Sequence, residues 1–169
     1  MSHPLERIYD EHAQSLFSFL LNLTRSEPDT RDVMQEIFRK LAERPELLRG
    51  VREVRPFLLR LAHNQAIDLM RRRSTREKNY AQLARECLDL FAASPQADEE
   101  SLRKALSAAL EELPPDQRAV AHLKLWEGAT FEQIAETLGI PANTAASRYR
   151  YAMDKLRQRL RLIYEEIKQ

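Results

Sequence analysis

Between Pro141 and Leu160 the side chains able to grip a nucleic acid collect on one side of a helical repeat. Wound at helical pitch, Asn143, Ser147, Arg150, Tyr151, Asp154 and Arg157 share a face. Ala145, Tyr149, Ala152, Met153, Leu156 and Leu160 fall in an opposite arc of about 100°, the width of a buried stripe. Arginine can hold a guanine edge or a phosphate through paired N–H groups, and asparagine and serine reach base edges or phosphates by hydrogen bonds. Ser147 and Arg150 are therefore expected to read bases. Arg148 and Lys155 are expected to touch phosphates or flank the site.

An ordinary amphipathic helix in a bundle shows the same sorting, so the preceding residues matter. Thr130 followed by Gln133 makes a capping-box pair, which starts a helix by satisfying two backbone N–H groups. Ile134 and Leu138 lie one turn apart, and the small Ala135 permits close approach of a second helix. Gly139 suits the left-handed residue that ends the helix, Ile140 can drop into the core, and Pro141 begins the next helix. Helix, glycine turn and helix at this spacing form a DNA-binding unit.

A second candidate surface lies between Pro56 and Arg73. Leu58, Leu59, Ala62, Ala66, Leu69 and Met70 form a core arc, while Arg60, Asn64, Asp68, Arg71 and Arg72 lie opposite, with Phe57 and Leu61 near that side. An arginine-rich face neutralises phosphates, and Asn64 can hydrogen-bond a base edge. A third face, Asp32, Gln35, Glu36 and Arg39, stands against buried Val33, Ile37 and Leu41.

No comparable pattern suggests catalysis. The chain has no glycine-rich phosphate loop, no recognisable carboxylate pair and no histidine set near its single cysteine, Cys87. His3, His12, His63 and His122 are scattered, so no metal site and no cofactor are expected. His63 and His122 are read as helix-surface or packing residues. No apolar run is long enough to insert in a membrane, and the N-terminus lacks a signal pattern, which implies a cytoplasmic protein. The net charge of +1 conceals a gradient: residues 141–169 hold 7 basic and 3 acidic groups, and residues 74–100 hold 3 and 6. Basic charge gathered at one end is the electrostatic pattern of a nucleic-acid surface.

The elements that must position these faces are all helical. With 169 residues, 3 glycines and a wealth of Leu, Ala, Glu, Arg and Gln, the chain is expected to be all-α, built as two small helical domains. Helices are expected at Ile8–Leu23, Thr30–Leu41, Pro56–Arg73, Leu102–Leu113 and Asp116–Trp126. A break falls at Ser26–Asp29, and a loop with Gly50, Arg44, Arg49, Arg52 and Arg55 leads to Pro56. The acidic stretch 76–100 is expected to be a linker, of which Tyr80–Phe91 could be helical. The last helix is expected to continue to Ile167, because Ile163 and Ile167 extend the arc of Leu156 and Leu160.

Three motifs resemble a known family. Leu110-Glu111-Glu112-Leu113-Pro114, Phe131-Glu132-Gln133-Ile134-Ala135 and Asn143-Thr144-Ala145-Ala146-Ser147-Arg148 look like domain 4 of the extracytoplasmic-function sigma factors, which recognises the promoter −35 element. The family usually has Gly-Thr-Val and a basic residue before the Ser-Arg pair, where this chain has Asn143 and Ala146. Its later Arg-Ala-Arg is Tyr151-Ala152-Met153 here, so the resemblance does not carry over the family's base preference. Asp32-Val33-Met34-Gln35-Glu36-Ile37-Phe38 is similar to the helix of domain 2 that docks on the clamp helices of the largest polymerase subunit. Phe57 to Arg73 resembles the promoter-melting helix, and Leu48–Arg55 the loop that holds a flipped −10 base.

The resemblance implies residues 1–75 as sigma domain 2, binding core RNA polymerase through Asp32, Gln35, Glu36, Phe38 and Arg39, and the −10 element through Arg60, Asn64, Asp68, Arg71 and Arg72. It implies residues 101–169 as sigma domain 4, meeting the −35 element through Asn143, Thr144, Ser147, Arg148, Arg150 and Tyr151. Core RNA polymerase, promoter DNA and an anti-sigma factor are the expected partners. The alternative is a helix-turn-helix regulator carrying a helical signalling or dimerisation domain. It leaves the motifs at Asp32–Phe38 and Phe57–Arg73 without explanation.

Overall fold

The computed structural model describes residues 4–77 and 97–167, all of whose regular elements are helices. The chain divides into two compact units, Met1–Glu86 and Cys87–Gln169. The expected helix at Tyr80–Phe91 and the cysteine Cys87 lie outside the described residues.

The first unit packs α1 (Pro4–Thr24), α2 (Glu27–Glu43) and α3 (Val54–Glu77) pairwise against one another. Leu16, Phe19, Leu20 and Leu23 of α1 meet Val33, Ile37 and Leu41 of α2 and Leu58, Leu59, Ala62 and Ala66 of α3 in the buried interior. The break between α1 and α2 is shorter than expected. Arg25 alone takes a left-handed turn (φ 55°), and Ser26 caps α2 by accepting the Asp29 N–H. Pro28 thus falls in the first helical turn, where a missing N–H costs nothing, instead of interrupting the chain. The Thr24 and Thr30 hydroxyls, 3.0 Å apart, and the Thr30 hydroxyl donating to Ser26 O at 2.9 Å close the corner.

The loop before Pro56 is partly ordered as a 3-10 turn, Pro45–Leu48, and α3 begins two residues before the proline. The reason is the same: Pro56 is still within the first turn. In the second unit, α4 (Ala97–Glu111) starts five residues ahead of the expected Leu102. Asp98, Glu99 and Glu100, read as linker for their acidity, are residues that a helix N-terminus favours through its dipole.

α5 (Pro115–Leu125), α6 (Phe131–Leu138) and α7 (Ala142–Ile167) complete the unit, with α7 packed on each of the other three. Its core joins Ala109, Leu110 and Leu113 to Ala121, Ala152 and Leu156, with Leu106 and Met153 packed alongside. Buried Arg118 closes the α4–α5 corner by donating to Glu111 O (3.1 Å) and Leu113 O (3.0 Å). The long final helix extends as expected, but the side chains of Ile163 and Ile167 are not among those described.

Candidate nucleic-acid and partner interfaces

The α6–α7 pair is built from its caps outward. Thr130 Oγ1 accepts the Gln133 N–H at 3.2 Å, while Gln133 Oε1 accepts the Thr130 N–H at 2.9 Å. Gly139 ends α6 at φ 67°, where a side chain would be strained even though the space beside it is open. The Ile140 N–H then returns to Ala135 O at 3.0 Å, and Ile140 is half-buried. Ahead of the cap, Lys124 donates to Ala129 O at 3.0 Å and sits 4.8 Å from the Phe131 ring centre.

On this support α7 buries Ala145, Ala152 and Leu156 and shows Asn143, Arg150 and Tyr151 to solvent, with Thr144 and Ser147 half-buried at the margins. The Arg150 guanidinium lies 5.4 Å from the centre of the Tyr151 ring, which is 53% exposed. Arg148 is placed differently from its neighbours: only 28% of its side chain is exposed, and its Nη2 lies 3.2 Å from Asp116 Oδ2 on α5. Tyr149, on the other flank of the buried stripe, meets the Phe131 ring edge-on at 5.7 Å. Toward the end of α7 the basic charge is largely paired, Arg157 with Asp154, Arg159 with Glu112 and Arg161 with Glu165.

On α3 the five expected polar residues, Arg60, Asn64, Asp68, Arg71 and Arg72, are all exposed. Phe57 and Leu61 are half-buried beside them. Arg73 leaves this row and bonds Asp29 at the start of α2. His63 and His122 are buried packing residues, at 9% and 2% exposure.

The α2 face exposes Asp32, Gln35 and Arg39, with Glu36 half-buried among them. Arg39 grips Glu36 with two N–H groups, at 2.7 and 3.1 Å, and reaches Glu43 at 2.6 Å. The hydrogen bond from Arg39, reinforced by its charge, holds the Glu36 carboxyl below the ordinary glutamate range, and the same bond raises Arg39. Phe38 is half-buried at the edge of the face and meets Tyr9 of α1 edge-on, ring centres 4.9 Å apart. Tyr9 and Asp116 escaped the sequence reading because each joins its site from another helix, and periodicity within one segment says nothing of such neighbours. Glu43, four residues after Arg39 on α2, could have been found from helical spacing.

A three-helix unit with polar faces on two helices, followed by a capped helix-turn-helix unit, is the organisation of a two-region sigma protein. The Sigma-70 region 2 family matches residues 8–76, and the Sigma-70 region 4 family matches residues 109–158. Among curated proteins, the ECF RNA polymerase sigma factor SigL of Mycobacterium tuberculosis is 33% identical over 155 residues, covering 90% of this chain and 86% of its own. The RNA polymerase sigma factor CarQ of Myxococcus xanthus is 30% identical, covering 92% and 88%. SigX of Bacillus subtilis, another ECF sigma factor, is 24% identical, covering 99% and 89%. The fold is shared with the sigma factor RpoE of Bartonella quintana, solved in complex with the anti-sigma factor NepR. That chain gives a TM-score of 0.76 at 20% identity, covering 92% of this chain and 96% of the other.

The chain belongs to the ECF RNA polymerase sigma factors, proteins that direct polymerase to promoters and so to transcription initiation. The region 2 match over residues 8–76 sets aside the alternative of a regulator with a signalling or dimerisation domain. No described helix is long and apolar enough to cross a membrane.

Proposed function

We propose that the three exposed faces divide the work of initiation. Asp32, Gln35, Glu36, Phe38 and Arg39 dock on core polymerase. Arg60, Asn64, Asp68, Arg71 and Arg72 face the −10 element, and Asn143, Thr144, Ser147, Arg150 and Tyr151 face the −35 element. In this reading residues 1–75 form the first domain, whose last helix runs on to Glu77, and residues 101–169 the second, whose first helix begins at Ala97. The observation that carries the proposal is the exposed edge of α7. Polar and aromatic groups cluster there on a helix whose other side is closed by alanines, above a glycine turn that fixes its entry.

The chain acts without reaction chemistry of its own, and its place is the cytoplasm, where polymerase works. An anti-sigma factor is the proposed regulatory partner, supported by the shared fold with a sigma factor solved in such a complex. Run-off transcription with core polymerase on a library of promoter fragments tests the assignment. Start sites that share an upstream and a downstream element support it. Transcripts no different from those of core polymerase alone refute it.

A further inference from the structure

α7 is anchored beneath its exposed face by small residues. Ala145 and Ala152 are completely buried and Leu156 nearly so. Alanine lets a helix approach its neighbours closely but interlocks with them poorly, since it has no side chain beyond Cβ to lodge between theirs. At Ala145 and Ala152 the stripe therefore holds α7 close but leaves its rotation there to be fixed by the larger side chains on either flank. Rotation matters, because one residue of helix corresponds to about 100° and a base contact tolerates little displacement.

Two consecutive residues grip the helix from either side of that stripe. Arg148 reaches Asp116 in the first turn of α5, and Tyr149 packs on Phe131 in the first turn of α6. Asp116 suits its end of the contact, as a carboxylate is favoured at a helix N-terminus. The Arg148 side chain is turned from the solvent face that carries Asn143, Arg150 and Tyr151, and is less than a third exposed.

We infer that Arg148 is a positioning residue: paired with Asp116, it sets the rotation of α7 and so decides which base edges Ser147 and Arg150 meet. This departs from the phosphate role expected of Arg148 from sequence, and it rests on the proposal that the exposed face of α7 reads DNA. Asp116, a carboxylate with no attraction for DNA, becomes a determinant of upstream selectivity.

The test uses the full chain with core polymerase on promoters altered singly across the upstream element, measured over a range of salt concentrations. The variants are Arg148→Ala, Arg148→Lys, Asp116→Asn, their double combinations, Arg150→Ala and Ser147→Ala, with melting temperature followed throughout. Positioning predicts that Asp116→Asn and Arg148→Ala each cut discrimination at the upstream element about fivefold, the lower end of one base contact. Their double variant should be no worse than either alone, because paired residues are non-additive. The salt dependence should stay as in the parent, and Arg148→Lys should restore part of the selectivity.

A phosphate contact predicts otherwise: Arg148→Ala would lower the salt slope by about one and weaken all promoters equally, and Asp116→Asn would leave selectivity intact. That result overturns the inference. If Arg150→Ala and Ser147→Ala also leave upstream preference unchanged, the reading assigned to α7 itself fails. If they relax it while Asp116→Asn does not, only the positioning role fails.

Discussion

Arg73 and Asp29, 44 positions apart, tie the last turns of α3 to the first turn of α2 by an ion pair in which Asp29 is almost wholly buried. The Asp29 side chain keeps 6% of its exposure and the Arg73 side chain 47%. Arg71 and Arg72, its neighbours in the basic run, point to solvent. One run of three arginines thus serves two purposes: two face outward, and the third neutralises a carboxylate that water reaches poorly.

Removal of Arg73 should therefore destabilise the first unit, whereas removal of Arg72 should not. Breaking a buried pair costs about 3–5 kcal/mol, and the half-exposed arginine reduces this to about 1–3 kcal/mol. Urea unfolding of Arg73→Ala and Arg72→Ala measures the difference. Asp29→Asn added to Arg73→Ala should recover part of the loss, since no uncompensated charge remains. Equal midpoints for the two single variants would rule out a structural role for the pair.

Arg150→Ala should relax preference at one or two positions of the upstream element, by about 1–3 kcal/mol of discrimination. The same library of single-base promoter variants reads this directly. A uniform decline across all variants would instead mean that Arg150 meets a phosphate.

Glu36→Lys combined with Gln35→Ala should weaken binding to core polymerase while the melting temperature stays near that of the parent. Both residues lie on the outward side of α2, and exposed substitutions usually change stability by less than about 0.5 kcal/mol. The lost Glu36–Arg39 pair lies in solvent, which screens its attraction. Competition for core polymerase against the parent chain checks it, with undiminished occupancy counting against the docking face.

Glu36 should titrate below an ordinary glutamate, and Arg39→Ala should move its midpoint upward, as NMR titration of the carboxyl carbon would show. A lowered folded pKa means that the stabilising contribution is present above the unfolded value and lost as pH falls through the folded one. The pair is therefore intact at neutral pH and weakens only in acid. An unmoved midpoint in the variant would exclude Arg39 as the cause.

Leu156→Ala should cost about 2–4 kcal/mol and Leu162→Ala under about 0.5 kcal/mol. Leu156 is 6% exposed within the core shared with α4, whereas Leu162, nearly two turns later, is 54% exposed. Thermal unfolding of both variants provides the comparison. Similar losses would show that the packed part of α7 reaches further than Leu156 and Leu160.

The helices and the α6–α7 corner were legible in the sequence because their determinants are local. Thr130, Gln133 and Gly139 act within one turn of themselves, and the buried stripe of α7 repeats at helical pitch. The start of α4 was misplaced because Asp98, Glu99 and Glu100 carry two meanings: acidity typical of a linker and acidity favoured at a helix N-terminus. The exposed candidates on α2 and α3 could be named from periodicity. The partners of Arg73 and Arg148 could not, because each is supplied by a different helix and chosen by packing. Arg148 therefore reads as a member of a basic surface when its side chain is committed elsewhere, and the tie from Arg73 to Asp29 leaves no mark in the local pattern.

The division of α7 into an alanine-floored underside and a solvent-facing edge bears on how such proteins diverge. Asn143, Arg150 and Tyr151 contribute little to folding, so substitutions there can accumulate without stabilising changes to accompany them. Ala145 and Ala152 leave no such freedom, as any larger side chain would force α7 from its neighbours. On the role proposed for that edge, duplicated copies of this gene acquire new promoter preferences one exposed residue at a time, on a helix whose inner side stays unchanged.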